Sequence, residues 1–190
     1  MILGAKGELW PVLKNSDHFP RLKDLIKTTS KDCTTLLDLG CGAAELSRLF
    51  PEYFYVGADL KQILENVSMK MNPGKNYIDF DIYNNETCSF INEYDIVVMN
   101  ALIDVLEHPL FGLKNVLSNS QKYVIIHRQE FDEEGKTRIV KNPAYGSLTY
   151  HSIINLKEFE ELLEEYDFSI VKEVKTLFDN SKSILLKKGK

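Results

Sequence analysis

Short apolar runs alternate with amphipathic stretches along the first two thirds of the chain. Apolar runs predict strands at 34–39, 53–58, 76–80, 94–99 and 122–127. Helical spacing or composition predicts helices at 19–29, 43–50, 61–71 and 109–118, several of them ended by Pro or Gly. Because strands that alternate with helices form parallel sheets covered on both faces, the pattern predicts an α/β fold.

The last third has a different pattern. Residues 129–150 are polar, contain Gly135, Pro143 and Gly146, and predict a long irregular connection, which together with its flank at 129–155 is a candidate substrate lid. Asn155 and Glu158 are spaced as a capping box that begins a helix running through Tyr166. Two strands at 168–177 and 181–186, joined by a turn at 178–180, predict a closing antiparallel pair.

Composition limits the classes of function. A length of 190 residues with 44% hydrophobic and 27% charged residues predicts one globular domain over 1–190, with 1–33 as an N-terminal helical cover. A net charge of −5 argues against nucleic acid as a partner. No signal peptide or membrane span is predicted. Cys33, Cys41 and Cys88 lack the spacing of a zinc site or a disulfide framework, which favours no metal and a cytoplasmic location.

The most informative stretch, residues 36–46, has the sequence LLDLGCGAAEL. Gly40 and Gly42 follow a buried strand, and glycines there let a ligand approach the backbone closely. Asp59 ends the second strand, 17 residues after Gly42. A carboxylate at that point accepts hydrogen bonds from both hydroxyl groups of a ribose. The two features together predict a nucleoside-containing cofactor.

This stretch resembles the first motif of class I S-adenosylmethionine (SAM)-dependent methyltransferases, although Ala44 stands where the family often has a third glycine. The resemblance continues through 94–110, which aligns without gaps to the family's fourth-strand segment, and covers about four fifths of the chain. It implies a three-layer Rossmann-like sandwich with a mostly parallel, seven-stranded sheet that ends in the antiparallel pair. It also implies SAM as the cofactor.

The resemblance assigns roles to residues at the strand ends. The acid before the glycine turn holds the cofactor's amino group, the turn lies beside its methionyl part, the acid after the second strand binds the ribose, and the pair after the third strand contacts the adenine. The implied cofactor-binding residues are Asp38, Gly40, Cys41, Gly42, Asp59, Leu60, Asp81, Ile82 and Asn100.

Candidate catalytic residues follow the fourth and fifth strands and the expected lid. Asp104, His108, His127 and His151 are acids or bases at edges where this family builds acceptor pockets. Each has an ordinary structural alternative, such as capping a helix or packing. Arg128, Tyr145 and Tyr150 are further candidates for lining that pocket.

These features favour transfer of a methyl group to a small molecule or to a saccharide or lipid precursor, because the [DN]-P-P-[YFW] pattern of amino-methylating nucleic-acid enzymes is absent from the sequence. Two alternatives stay open. One is a methyltransferase-like binding or regulatory subunit with weak or no catalysis. The other is an NAD-dependent oxidoreductase, which Glu45 opposes because it stands where the dinucleotide motif needs a third glycine.

Overall fold

The apolar runs form strands of a central sheet. The computed structural model describes residues 2–3, 9–10, 13–144, 147–176 and 181–189. The strands are β1 (Ile2–Leu3), β2 (Leu9–Trp10), β3 (Thr35–Leu39), β4 (Phe54–Asp59), β5 (Asn76–Asp79), β6 (Ile96–Asn100), β7 (Tyr123–Asp132), β8 (Arg138–Ala144), β9 (Ser147–Asn155), β10 (Phe168–Lys175) and β11 (Ser181–Lys188).

The amphipathic stretches form the helices α1 (Phe19–Thr28), α2 (Leu46–Leu49), α3 (Lys61–Ile63), α4 (Met69–Met71), α5 (Asn85–Cys88), α6 (Pro109–Asn119) and α7 (Leu156–Glu165). A π-helical turn, Leu64–Ser68, joins α3 to α4, and 3₁₀ turns lie at Leu13–Asn15, Ser89–Glu93 and Ile103–Val105. The predicted helix at 43–50 is wrong in length. It is reduced to α2 because Ala44, with φ of +55°, has a left-handed backbone that a right-handed helix excludes.

The predicted parallel sheet is confirmed. Its order is β10-β11-β7-β6-β3-β4-β5, in which β7, β6, β3, β4 and β5 are parallel and the closing pair β10–β11 is antiparallel. The turn predicted at 178–180 lies outside the described residues, as do Tyr145 and Gly146.

Each strand of the sheet's centre sends alternate side chains to opposite faces, which produces three layers. Leu37, Val97 and Val124 face a cluster completed by α6 and α7. Leu36, Val98 and Ile125 face a second cluster completed by α1 and α2. The fold is the three-layer α/β sandwich expected from the sequence.

The seven strands of this order are the seven-stranded sheet that the family resemblance implies, whereas the irregular connection expected at 129–150 is wrong. Residues 138–155 form an antiparallel hairpin, β8–β9, and β9 pairs with the end of β7 through Glu130–Asp132, which adds two strands to the seven among the described residues. In the described sheet β8 pairs with β9 on one side, which makes it an edge strand. Pro143 is compatible with β8 because prolines are tolerated on edge strands.

The N-cap at Asn155 is confirmed, since its Oδ1 accepts the Glu158 N–H. The Glu158 carboxylate instead accepts the Thr137 N–H at 2.8 Å, which ties the loop after β7 to α7.

Candidate active site

The glycine turn after β3 has the geometry that its sequence predicts. Gly40 and Gly42 both have positive φ, at +67° and +48°. A Cβ built on Gly40 would lie 2.8 Å from Leu102 Cδ1, so a side chain there would meet both a strained backbone and a clash. The backbone N–H groups of Gly40 and Cys41 donate to the carbonyl oxygen of Ala58 at 2.8 and 3.2 Å. The turn is therefore fixed against the end of β4.

Asp59 connects the two strand ends. Its Oδ2 accepts the Gly42 N–H at 2.9 Å and its Oδ1 accepts the Leu60 N–H at 2.8 Å. Burial raises the pKa of this carboxyl group above its usual value, and the two N–H donors partly offset that effect. A carboxylate has about four acceptor positions, so two remain for hydroxyl groups of a ligand.

A groove of about 240 Å³ opens at the carboxyl ends of β3, β4 and β5. Five predicted cofactor residues line it together with apolar side chains from the segments after β5 and β6. The lining consists of Gly40, Asp59, Leu60, Phe80, Asp81, Ile82, Tyr83, Leu102, Val105 and Leu106. The apolar walls suit a flat ring, and the two aspartates supply hydrogen-bond acceptors.

The predicted residues Asp38, Cys41, Gly42 and Asn100 adjoin this lining in sequence but are not among the residues described as lining it. Asp38 is buried, with an exposed fraction of 3%, and its Oδ2 accepts a hydrogen bond from the Tyr55 hydroxyl at 2.8 Å. Burial raises the pKa of Asp38 to about 7. The Cys41 thiol packs in the second cluster, which α1 and α2 complete. Burial raises the pKa of this thiol, so it is not an activated nucleophile.

Side chains from the helical segment 61–72 hold the turn, and the sequence analysis did not identify them. The Ser68 hydroxyl donates to the Gly42 carbonyl at 2.5 Å, and Asn72 Nδ2 donates to the Ala43 carbonyl at 2.6 Å. Tyr77 then donates to the Asn72 carbonyl at 2.8 Å. Ser68 ends the π-helical turn, and such turns are frequent at functional sites. The sequence offers no local signal for these contacts, because they join residues more than one element apart.

The candidate catalytic residues separate into two places. His108 is exposed before α6, and its backbone N–H donates to the Tyr83 hydroxyl at 3.0 Å, beside the groove. Asp104 lies instead in the 3₁₀ turn after β6, His127 in the middle of β7 and His151 in the middle of β9. The expectation that His127 ends the fifth strand is wrong, because β7 continues to Asp132. His151 Nε2 contacts Glu130 Oε2 at 2.9 Å. Burial raises the pKa of Asp104 above its usual value, and the charges of Arg128 and His151 partly offset that effect.

His127 has an environment that keeps it neutral. Burial, followed by the positive charges of Arg128, His18 and Arg21, lowers its pKa to about 3. A general base works best with a pKa near the operating pH, so this histidine is suited to hydrogen bonding rather than to accepting a proton.

Within the described part of the chain, no group of three or more His, Cys, Asp or Glu side chains has the arrangement of a metal site. None of the described helices is both long enough and apolar enough to cross a membrane.

The solved structures that this fold resembles include several methyltransferases. The amino pentose methyltransferase CalS10 from Micromonospora echinaspora, solved with SAM, has a TM-score of 0.68 at 12% identity over 96% of this chain and 99% of its own. A SAM-dependent methyltransferase from Mesorhizobium loti has a TM-score of 0.68 at 12% identity over 93% of this chain and 100% of its own. Magnesium protoporphyrin IX methyltransferase from Synechocystis PCC 6803, with S-adenosylhomocysteine (SAH), has a TM-score of 0.64 at 13% identity over 96% and 90%.

No individually curated protein sequence matches the chain. A family model described as "Methionine biosynthesis protein MetW" matches residues 17–185, which contain the glycine turn, the groove, β10 and the first five residues of β11. The predicted Rossmann-like methyltransferase fold is thereby confirmed, and the chain belongs to the MetW family.

Proposed function

We propose that the chain binds SAM in the groove at the ends of β3, β4 and β5 and transfers its methyl group to a small-molecule acceptor. The observation that carries the proposal is the groove itself, in which Gly40, Asp59, Asp81 and Ile82 meet. These residues come from three separate strand ends, and each strand end fits a different part of the cofactor.

The residues fit SAM part by part. The open space beside Gly42 in the glycine turn suits the methionyl part, the free acceptor positions of Asp59 suit the ribose hydroxyls, and Ile82 with Asp81 suits the adenine ring and its amino group. When bound, SAM supplies a methyl group on a positively charged sulfur. The protein then has to place the acceptor in line with that bond, and such placement supplies much of the rate even without a strong base.

The acceptor side is proposed to lie over the ends of β6 and β7, beneath the β8–β9 hairpin. The Tyr150 hydroxyl on β9 hydrogen-bonds with Glu107, which raises the pKa of the tyrosine and joins the hairpin to the segment after β6. Ser152 of the same strand donates to the Ile103 carbonyl at 2.8 Å. Such contacts support the hairpin as the acceptor's cover, in the place where the sequence predicts a lid.

The acceptor is proposed to be a small molecule. The similar structures include enzymes titled for an amino pentose, for magnesium protoporphyrin IX and for 1,6-didemethyltoxoflavin. That range supports the class without choosing among its members. The cytoplasm remains the proposed location, supported by three buried cysteines that are free thiols.

A methyltransferase-like subunit of methionine biosynthesis, with binding or regulation as its role, is the second candidate. The family's description favours it, as does the Leu102 side chain, which packs closely over the glycine turn. An oxidoreductase is disfavoured because Glu45 stands where the dinucleotide motif needs its third glycine. The Glu45 carboxylate accepts the Leu13 N–H and pairs with Arg48.

Isothermal titration of the full chain tests the proposal. We expect SAM and SAH to bind with micromolar dissociation constants, the range common for such pockets, and NADH not to compete. Transfer of a labelled methyl group, assayed against a panel of small molecules, then separates the enzyme from the regulatory subunit. Binding of NADH without binding of SAM would contradict both methyltransferase-like alternatives.

A further inference from the structure

The last residue of β6 and its neighbour in the middle of β7 carry buried polar atoms that have no hydrogen-bond partner in the described part of the chain. Asn100 and His127 are register partners on these parallel strands, so their side chains lie on the same face of the sheet. Asn100 Oδ1 and His127 Nε2 are both buried, and neither has a hydrogen-bond partner within the described ranges. His127 itself is only 1% exposed. Buried polar groups are nearly always paired, so these atoms indicate a ligand position.

The hydrogen bonds of Ser183 determine which nitrogen of His127 carries the proton. The Ser183 Oγ lies 2.7 Å from His127 Nδ1 and accepts the Arg128 N–H at 3.4 Å. Since Nδ1 is the one acceptor that the described residues offer to the serine hydroxyl, the hydroxyl donates to it. The neutral imidazole therefore carries its proton on Nε2. His127 presents an N–H donor to a ligand.

Arg128 supplies the positive charge at this position. Its φ of +69° is a left-handed conformation, which is uncommon outside glycine and clusters at functional sites. The half-buried guanidinium makes no hydrogen bond or ion pair with any residue in the described ranges. Arg128 directly follows His127 in β7, and its positive charge lowers the pKa of His127 and of His18.

Two buried acceptor atoms belong to β6 and to the turn that follows it, Asn100 Oδ1 and Asp104 Oδ1. Among the described residues, Asp104 Oδ1 is buried without a hydrogen-bond partner. Its charge disfavours a doubly charged phosphate more than a singly charged carboxylate. The neighbouring His151 is already paired with Glu130. A hydroxyl or an amine of a ligand would donate a hydrogen bond to Asp104 Oδ1 or to Asn100 Oδ1.

We propose that the cluster of Asn100, Asp104, His127 and Arg128 binds a small hydroxy- or aminocarboxylic acid. The carboxylate is held by the Arg128 guanidinium and His127 Nε2–H, and the hydroxyl or amine donates to Asp104 or Asn100. That this acid is the methyl acceptor rests on the proposed function, whereas its binding does not.

The test is saturation-transfer NMR on the full chain, with and without saturating SAH. The probes are a panel of small hydroxy- and aminocarboxylic acids, their carboxamides, and phosphate esters of matching size. We expect acids to bind about ten-fold more tightly than their amides, and R128Q to remove that preference. The control R138Q removes the same charge from an exposed arginine that is paired with Asp132 at 2.6 Å, and it leaves acid binding unchanged.

Three results would overturn the proposal. If amides bind as well as acids, the ligand is not recognised through a carboxylate. If phosphate esters bind more tightly than acids, the cluster recognises a different anion. An approximately ten-fold loss of SAH affinity in R128Q would assign the guanidinium to the cofactor instead. If R128Q does not fold, R128G removes the same charge and suits the left-handed backbone. Acid binding that depends on Arg128 in a chain that binds no SAH would contradict the proposed function and leave this inference intact.

Discussion

Replacing Asp59 with alanine is expected to weaken SAM binding by about 100-fold or more. The carboxylate is proposed to accept two ribose hydroxyls, and each charge-assisted hydrogen bond contributes roughly 1.5–3 kcal/mol. The variant also loses the acceptor that fixes the Gly42 N–H at 2.9 Å, so the turn loosens in the same direction. Isothermal titration measures the affinity, and circular dichroism with thermal melting verifies that the variant is folded.

Asp79→Ala is the matched control. Asp79 is the register partner of Asp59 on β5, and its Oδ1 likewise accepts a backbone N–H, that of Lys61, at 3.0 Å. It is exposed and is not among the residues that line the groove. We expect it to keep the native affinity within about two-fold. Equal losses of SAM affinity in the two variants would attribute the effect to net charge or to folding. That result would contradict ribose binding by Asp59.

Replacing Asp38 with asparagine is expected to stabilise the protein without ligand above neutral pH. Burial raises the pKa of Asp38 from 3.8 to about 7. Between those values the folded chain holds a proton that the unfolded chain has lost, so the free energy of unfolding falls as pH rises from about 4 to about 7. The full difference corresponds to at most about 4 kcal/mol. Asparagine avoids this loss and still offers an oxygen to the Tyr55 hydroxyl.

Urea unfolding of both proteins at pH 4 and pH 8 measures this effect. The stability gain from asparagine is expected to be small at pH 4 and to reach about 1–4 kcal/mol at pH 8. A gain that is the same at both pH values would show that Asp38 does not titrate in this range. Weaker SAM binding by the same variant would support the role that the family resemblance gives to this carboxylate.

Local sequence signals predicted the parts of the site that depend on backbone conformation. The positive φ of Gly40 and Gly42 follows from two glycines after an apolar run, and Asp59 follows from its distance along the chain. Ala44 has the same left-handed conformation at φ +55°, at a cost of about 1–2 kcal/mol for a residue with a Cβ. The third position of the turn thus keeps a glycine's geometry without the glycine.

Contacts between distant segments were not predictable in the same way. The β8–β9 hairpin depends on the free edge at the end of β7, which no residue within 138–155 encodes. The support that Ser68 and Asn72 give to the turn, and the burial of His127 against Ser183, likewise depend on where whole elements pack. Hydrophobic periodicity specifies which face of an element is buried, but it does not specify which polar atoms of other elements will contact that face.

A crystal structure of the chain with SAH tests the cofactor site directly. SAH is expected to lie in the groove at the ends of β3, β4 and β5. Both ribose hydroxyl oxygens should lie within about 3.2 Å of the Asp59 carboxylate, and the adenine should contact Ile82. SAH bound elsewhere, or in the groove with its ribose away from Asp59, would contradict this expectation.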